Sequence, residues 1–119
     1  MDRRNMSRDK IWSQDWFERR ARMTIKVIVE LKAHPGRRDE LRAVFESMLV
    51  AHGSDLPGFL GSSRYEKLDD PAVLVEIADW VSPEARDSHM KDAAAAGTYA
   101  PLLALVAEPF RVAVLNALV

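Results

Sequence analysis

The chain predicts an α+β fold, a ferredoxin-like β-α-β-β-α-β antiparallel sheet with its helices on one face. Three observations carry that expectation. Four runs, residues 24–33, 59–68, 72–81 and 110–118, have the length and composition of strands. Two longer stretches between them space their apolar residues as a helix does. Turn chemistry stands at the junctions, as His34-Pro35-Gly36, Leu56-Pro57-Gly58 and Asp69-Asp70-Pro71.

The first strand spans Thr24 to Ala33, with Ile25, Val27, Val29 and Leu31 alternating on one face and Ile28 on the other. The first helix presents Leu41, Val44, Phe45, Met48 and Leu49 on one side, and Gly53 is placed to stop it. The second strand, Phe59 to Leu68, carries Ser62, Arg64, Glu66 and Lys67 and reads as an edge strand. The third, Ala72 to Val81, is apolar except for Glu76 and Asp79. Structural pairing with Lys26 or Arg111 across the sheet is the expectation for Glu76. Ser82 then caps a second helix, Pro83 suits its first position, and Gly97 breaks it. Thr98 caps a shorter segment through Leu102, Leu103 and Val106, and the last strand runs from Phe110 to about Leu118.

Composition narrows the function. At 119 residues the chain holds one domain, here expected over residues 23–119. Residues 1–22 read as an extension, either mobile or a short amphipathic helix with Trp12 and Trp16 on one face. A net charge of −1 implies no nucleic-acid partner and no acidic membrane surface. The absence of cysteine excludes disulfides and thiol catalysis, and it fits a cytoplasmic location. The apolar run Ala93 to Ala107 is too short to span a bilayer, and no apolar core follows the charged N-terminus as a secretory signal requires.

Strands one, three and four are apolar on much of both faces, whereas two helices cover one side of a four-stranded sheet. The simplest cover for the other side is a second copy of the sheet. A homodimer through the open sheet face is therefore expected.

The Pro35-Gly36 turn, the Pro57-Gly58 turn and, above all, Trp80-x-x-x-x-Ala85-x-x-x-His89 resemble the antibiotic biosynthesis monooxygenase family of the dimeric α+β barrel superfamily. The likeness covers about Met23 to Leu118. Many relatives carry a second histidine about five residues further on, where this chain has Ala93 to Ala96. The resemblance implies oxidation of a small electron-rich aromatic, of quinol or polyketide anthrone type, to a quinone. It implies no flavin, haem or metal, with dioxygen as co-substrate. Isomerases and non-catalytic ligand-binding or regulatory modules stand on the same frame, so the fold alone leaves those readings open.

His89 is the candidate base, because a histidine titrates near neutrality and the other inward residues of its helix, Ala85 and Ala93 among them, are small. The alternative is a structural histidine that orients the helix. Trp80, Tyr65, Tyr99, Arg64, Phe45, Met48 and Phe59 are the candidate substrate contacts. Arg64 and Tyr65 are neighbours on a strand and face opposite ways, so at most one lines a given cavity. His34 and His52 read as surface or cap residues. Neither makes metal-ligand spacing with His89, and no metal site is expected.

Overall fold

The computed structural model describes residues 24–118. The expected extension over 1–22 and its two tryptophans lie outside them. The elements follow the predicted order: β1 Ile25–Lys32, α1 Arg38–His52, a 3₁₀ turn Gly53–Asp55, β2 Phe59–Lys67, β3 Asp70–Trp80, α2 Pro83–Ala96, α3 Ala100–Leu103 and β4 Arg111–Asn116. All neighbouring strands are antiparallel and the sheet order is β2-β3-β1-β4. The two most apolar strands are thus central.

Register settles which side chains share a face, since partners opposite each other in a ladder point the same way. Ile25 faces Trp80, Val27 faces Ala78, Val29 faces Glu76 and Leu31 faces Leu74, and these pairs lie under the helices. Ile28 faces Ile77 and Lys26 faces Asp79 on the open side, where Lys26 Nζ meets Asp79 Oδ1 at 2.7 Å. Glu76 therefore has a different neighbourhood from the one its sequence suggested. Lys26 points to the opposite side, and Arg111 stands opposite Glu30. Glu76 lies opposite Arg64 on the helix-covered face instead.

Local chemistry explains the junctions. Ser82 is extended, at φ −162°, and its Oγ accepts from the Ala85 amide at 3.1 Å, so α2 begins at Pro83 with an acid, Glu84, in its first turn. Gly97 ends α2 in the left-handed region at φ 66°, and the Thr98 amide closes back on the Ala93 carbonyl at 3.0 Å. Thr98 therefore takes part in closing α2. Tyr99 stands at the N-cap of α3 without a side-chain capping bond, and α3 is shorter than expected. Gly53 does not stop α1 by a left-handed turn. At φ −60° it leads into the 3₁₀ turn. The β2–β3 hairpin is also tighter than expected, because β3 begins at Asp70 and Lys67 already faces it.

Gly58 is the tightest junction. At φ 81° its carbonyl accepts from the Val81 amide at 2.8 Å, and a side chain there would meet Ala85 Cβ at 2.6 Å and Val81 Cγ2 at 2.9 Å. This glycine lets the start of β2 lie against the first turn of α2.

The buried residues form two clusters. One gathers Leu31, Leu41, Phe45, Leu74, Leu102 and Leu105, and the other Ile25, Val27, Ala78 and Trp80. The small inward residues of α2 leave the space between them unfilled. β4 is exposed along its whole length, with Val112 and Val114 about half exposed.

Candidate functional site

The unfilled space is a cavity of about 660 Å³ between sheet and helices. That falls within the range of small-molecule sites, roughly 300–1,000 Å³. β1 and β3 supply its floor, α1 and the 3₁₀ turn one wall, and α2 with the Thr98–Tyr99 link the other. Most of the lining is apolar, with Phe45, Met48 and Phe59 among it. Ala85, Ala93 and Ala96 give the helix wall its depth. A leucine at any of them would occupy volume that is now open.

Three side chains meet at the helix wall. Tyr99 Oη and His89 Nε2 are 2.6 Å apart, a short hydrogen bond. The His89 ring stacks on Trp80 at 5.5 Å between centroids and 28° between planes. Trp80 in turn leans on Phe59 at 5.2 Å. α2 presents the imidazole, the end of β3 presents the indole, and the Gly97 break brings the phenol back towards them. Trp80 is both core and cavity wall, being 5% exposed.

Electrostatics favour the neutral form of both partners. Burial pushes the His89 imidazole below the usual histidine range, Asp92 offsets part of that, and Arg86 adds to it. Burial pushes the Tyr99 phenol up, the Glu76 charge pushes the same way, and Arg86 opposes both. Both shifts favour a neutral imidazole facing a protonated phenol; in the tautomer that carries its proton on Nδ1, His89 Nε2 accepts from the Tyr99 O–H. A third ionisable group shares the cavity. Glu76 lines its floor, and burial raises its carboxyl, with Ser62, Arg64 and Arg86 holding part of the rise back.

Of the residues singled out in the sequence, His89, Trp80, Tyr99, Phe45, Met48 and Phe59 all line this one cavity. Tyr65 and Arg64 do not. Tyr65 is 52% exposed and lies opposite Val75 on the open side of the sheet. Arg64 Nη1 donates to the Ser62 carbonyl at 3.0 Å, and its Nε lies 3.7 Å from Glu46 of α1. His34 and His52 are both exposed, as expected, and His52 also lies at the cavity's edge. Among the described residues, no group of three or more histidines and acids could hold a metal ion, and no helix is long and apolar enough to cross a membrane.

Sequence reasoning missed Glu76 and Arg86 as cavity residues. The signal for Glu76 was parity, since it lies four residues before Trp80 on the same strand and must share its face. Arg86 flanks Ala85 at the edge of the inward stripe, where a long side chain still reaches the opening.

A family model described as antibiotic biosynthesis monooxygenase matches residues 24–100. No curated protein matches the chain. Among solved structures, Rv0793 from Mycobacterium tuberculosis is 26% identical, covering 80% of this chain and 95% of its own, with a TM-score of 0.66. SnoaB from Streptomyces nogalater, a cofactor-independent oxygenase, is 20% identical with a TM-score of 0.66, covering 80% of this chain and 93% of its own. A conserved protein from Methanosarcina mazei is 14% identical with a TM-score of 0.69, covering 82% and 95%. At these lower identities the likeness is one of fold.

Proposed function

The chain belongs to the antibiotic biosynthesis monooxygenase family, and from that membership and its cavity we propose that it oxidises a small electron-rich aromatic to a quinone without a cofactor. The observation that carries this reading is a roomy apolar cavity whose wall holds a hydrogen-bonded Tyr99–His89 pair stacked on Trp80. Apolar walls suit a flat aromatic ring, and the pair suits removal of one proton from it.

The 2.6 Å contact refines the role of His89. Its Nε2 is already occupied by Tyr99, so the substrate proton reaches it through the phenol. The substrate hydroxyl (for an anthrone, that of its enol tautomer) gives its proton to Tyr99 Oη while Tyr99 passes its own to His89 Nε2. No free tyrosinate forms, which matters because burial and Glu76 both oppose one. The resulting phenolate gives one electron to dioxygen, and the radical pair joins at the ring carbon opposite the oxygen. Imidazolium returns the proton to the peroxide through Tyr99. The hydroperoxide O–O bond then breaks as the C–H proton on the same carbon leaves. A carbonyl remains and one water departs, so one oxygen atom enters product and the other water. Trp80 and Phe59 hold the ring, and the apolar walls exclude water from the intermediates.

A non-catalytic module would be favoured by a cavity filled by Met48, Phe59, Trp80 and Leu103, but Leu103 is 57% exposed and the cavity is open. An isomerase acting on a polar substrate would call for arginine- and serine-rich walls, whereas the described lining has Arg86 and Ser88 as its only residues of those types. The protein acts as a homodimer, with the open face of Ile28, Ile77 and Leu115 and the exposed strand β4 covered by a second copy.

Oxygen uptake tests the reading. Anthrone or α-naphthol in air-saturated buffer should consume one dioxygen per quinone formed, and a chelator should not slow it. Uptake no faster than the enzyme-free oxidation of both would overturn it.

A further inference from the structure

Glu76 is the one acid on the helix-covered face of the central strands, and neither packing nor ion pairing accounts for it. It stands between Val29 of β1 and Arg64 of β2 and opens onto the cavity floor. None of the ion pairs among the described residues includes it. Its nearest cation on the sheet, Arg64, is turned towards the Ser62 carbonyl and Glu46. A partly buried carboxylate is costly unless its hydrogen bonds are met, and Ser62 meets only part of that need, since burial still outweighs it; a valine at this position would complete the apolar floor.

We infer that Glu76 is a substrate-binding residue that accepts a hydrogen bond from a second hydroxyl of the substrate, on the part of the molecule away from the reacting oxygen. The proposal rests on the reading of the cavity as a phenol site and narrows it to aromatics carrying hydroxyls at two poles. Tyr99 and His89 on the helix side take the reacting oxygen, and Glu76 on the sheet side holds the far one. The two poles fix the ring's orientation, which apolar walls alone would leave free to rotate. Burial keeps the Glu76 carboxyl easier to protonate than an exposed one. Such a group suits a neutral hydroxyl donor.

The test is binding without turnover, measured by calorimetry under nitrogen. The probes are α-naphthol and three dihydroxynaphthalenes that keep that hydroxyl and carry a second one on the other ring. At least one diol should bind the native protein tenfold or more tightly than α-naphthol, the worth of one hydrogen bond to a charged acceptor. In Glu76→Met the ratio of diol to α-naphthol affinity, both measured in the variant, should fall to about one. Glu76→Gln, which keeps an acceptor oxygen and tests the same point in a near-isosteric chain, should retain part of the advantage. If α-naphthol binds but no diol gains, or if the gain survives in Glu76→Met, Glu76 is not the anchor and the phenol-site reading stands. If neither α-naphthol nor any diol binds, the phenol site falls and this proposal falls with it.

Discussion

Replacing Tyr99 by phenylalanine removes one oxygen atom, the one 2.6 Å from His89 Nε2. If that oxygen carries the substrate proton to the imidazole, its loss should lower kcat by about 10²–10⁴-fold, the usual worth of positioned acid–base catalysis. That is roughly 2.7–5.4 kcal/mol of transition-state stabilisation. The cost to the fold should be smaller, about 1 kcal/mol for one neutral hydrogen bond, because His89 Nε2 can turn to water in the cavity. His89→Ala should cost a similar factor in kcat. Because the two groups move one proton in series, the double variant should lose little more than the worse single one. The assay is oxygen uptake with kcat and KM resolved, alongside a pH profile. In the native protein the acid limb of kcat/KM should lie below about 6.5, because burial favours the neutral imidazole. In Tyr99→Phe the limb should rise, since a donor to the neutral ring has gone. Native turnover in Tyr99→Phe, or losses that multiply in the double variant, would refute the relay.

Two further predictions concern the frame. Gly58→Ala combines φ 81° with a Cβ 2.6 Å from that of Ala85, so it should destabilise by about 2–4 kcal/mol and lower Tm by roughly 10 °C or more. Gly97→Ala has a similar φ and open space around it, and should cost only about 1 kcal/mol in the same melt. The native protein should sediment as a dimer burying about 1,500 Å² or more. Ile77→Lys, which puts a charge at the centre of the open face, should give folded monomer at micromolar concentration. A native monomer, or an unchanged dimer in Ile77→Lys, would remove the dimer from the proposal.

What the sequence made legible follows from which signals are local. Strand and helix periodicity, the Ser82-Pro83 start and the Gly97 stop are written within a few residues, and the elements form where those signals stand. Contacts across the sheet are not written that way. Glu76 was matched to Lys26 by charge, yet the ladder pairs Lys26 with Asp79 and turns Glu76 to the other face. One residue of register decides that, because the side-chain period is two. Trp80 held the missing information: its burial fixes the face of the even-numbered residues from Leu74 to Trp80, where the ladder with β1 is unbroken, so Glu76 had to lie on the helix-covered side with it. The Tyr99–His89 bond was illegible for another reason. The nine residues between them include a left-handed glycine, and how far such a break folds the chain back depends on the packing of α3 against the core, where Leu102 is 1% exposed. Tyr65 shows the converse. It has the chemistry of a binding residue, but strand parity opposite Val75 turns it to the open side of the sheet. In this fold residue type proposes a site and parity selects its members, so the chain's apolar anchors are the better guide to which polar groups share a cavity.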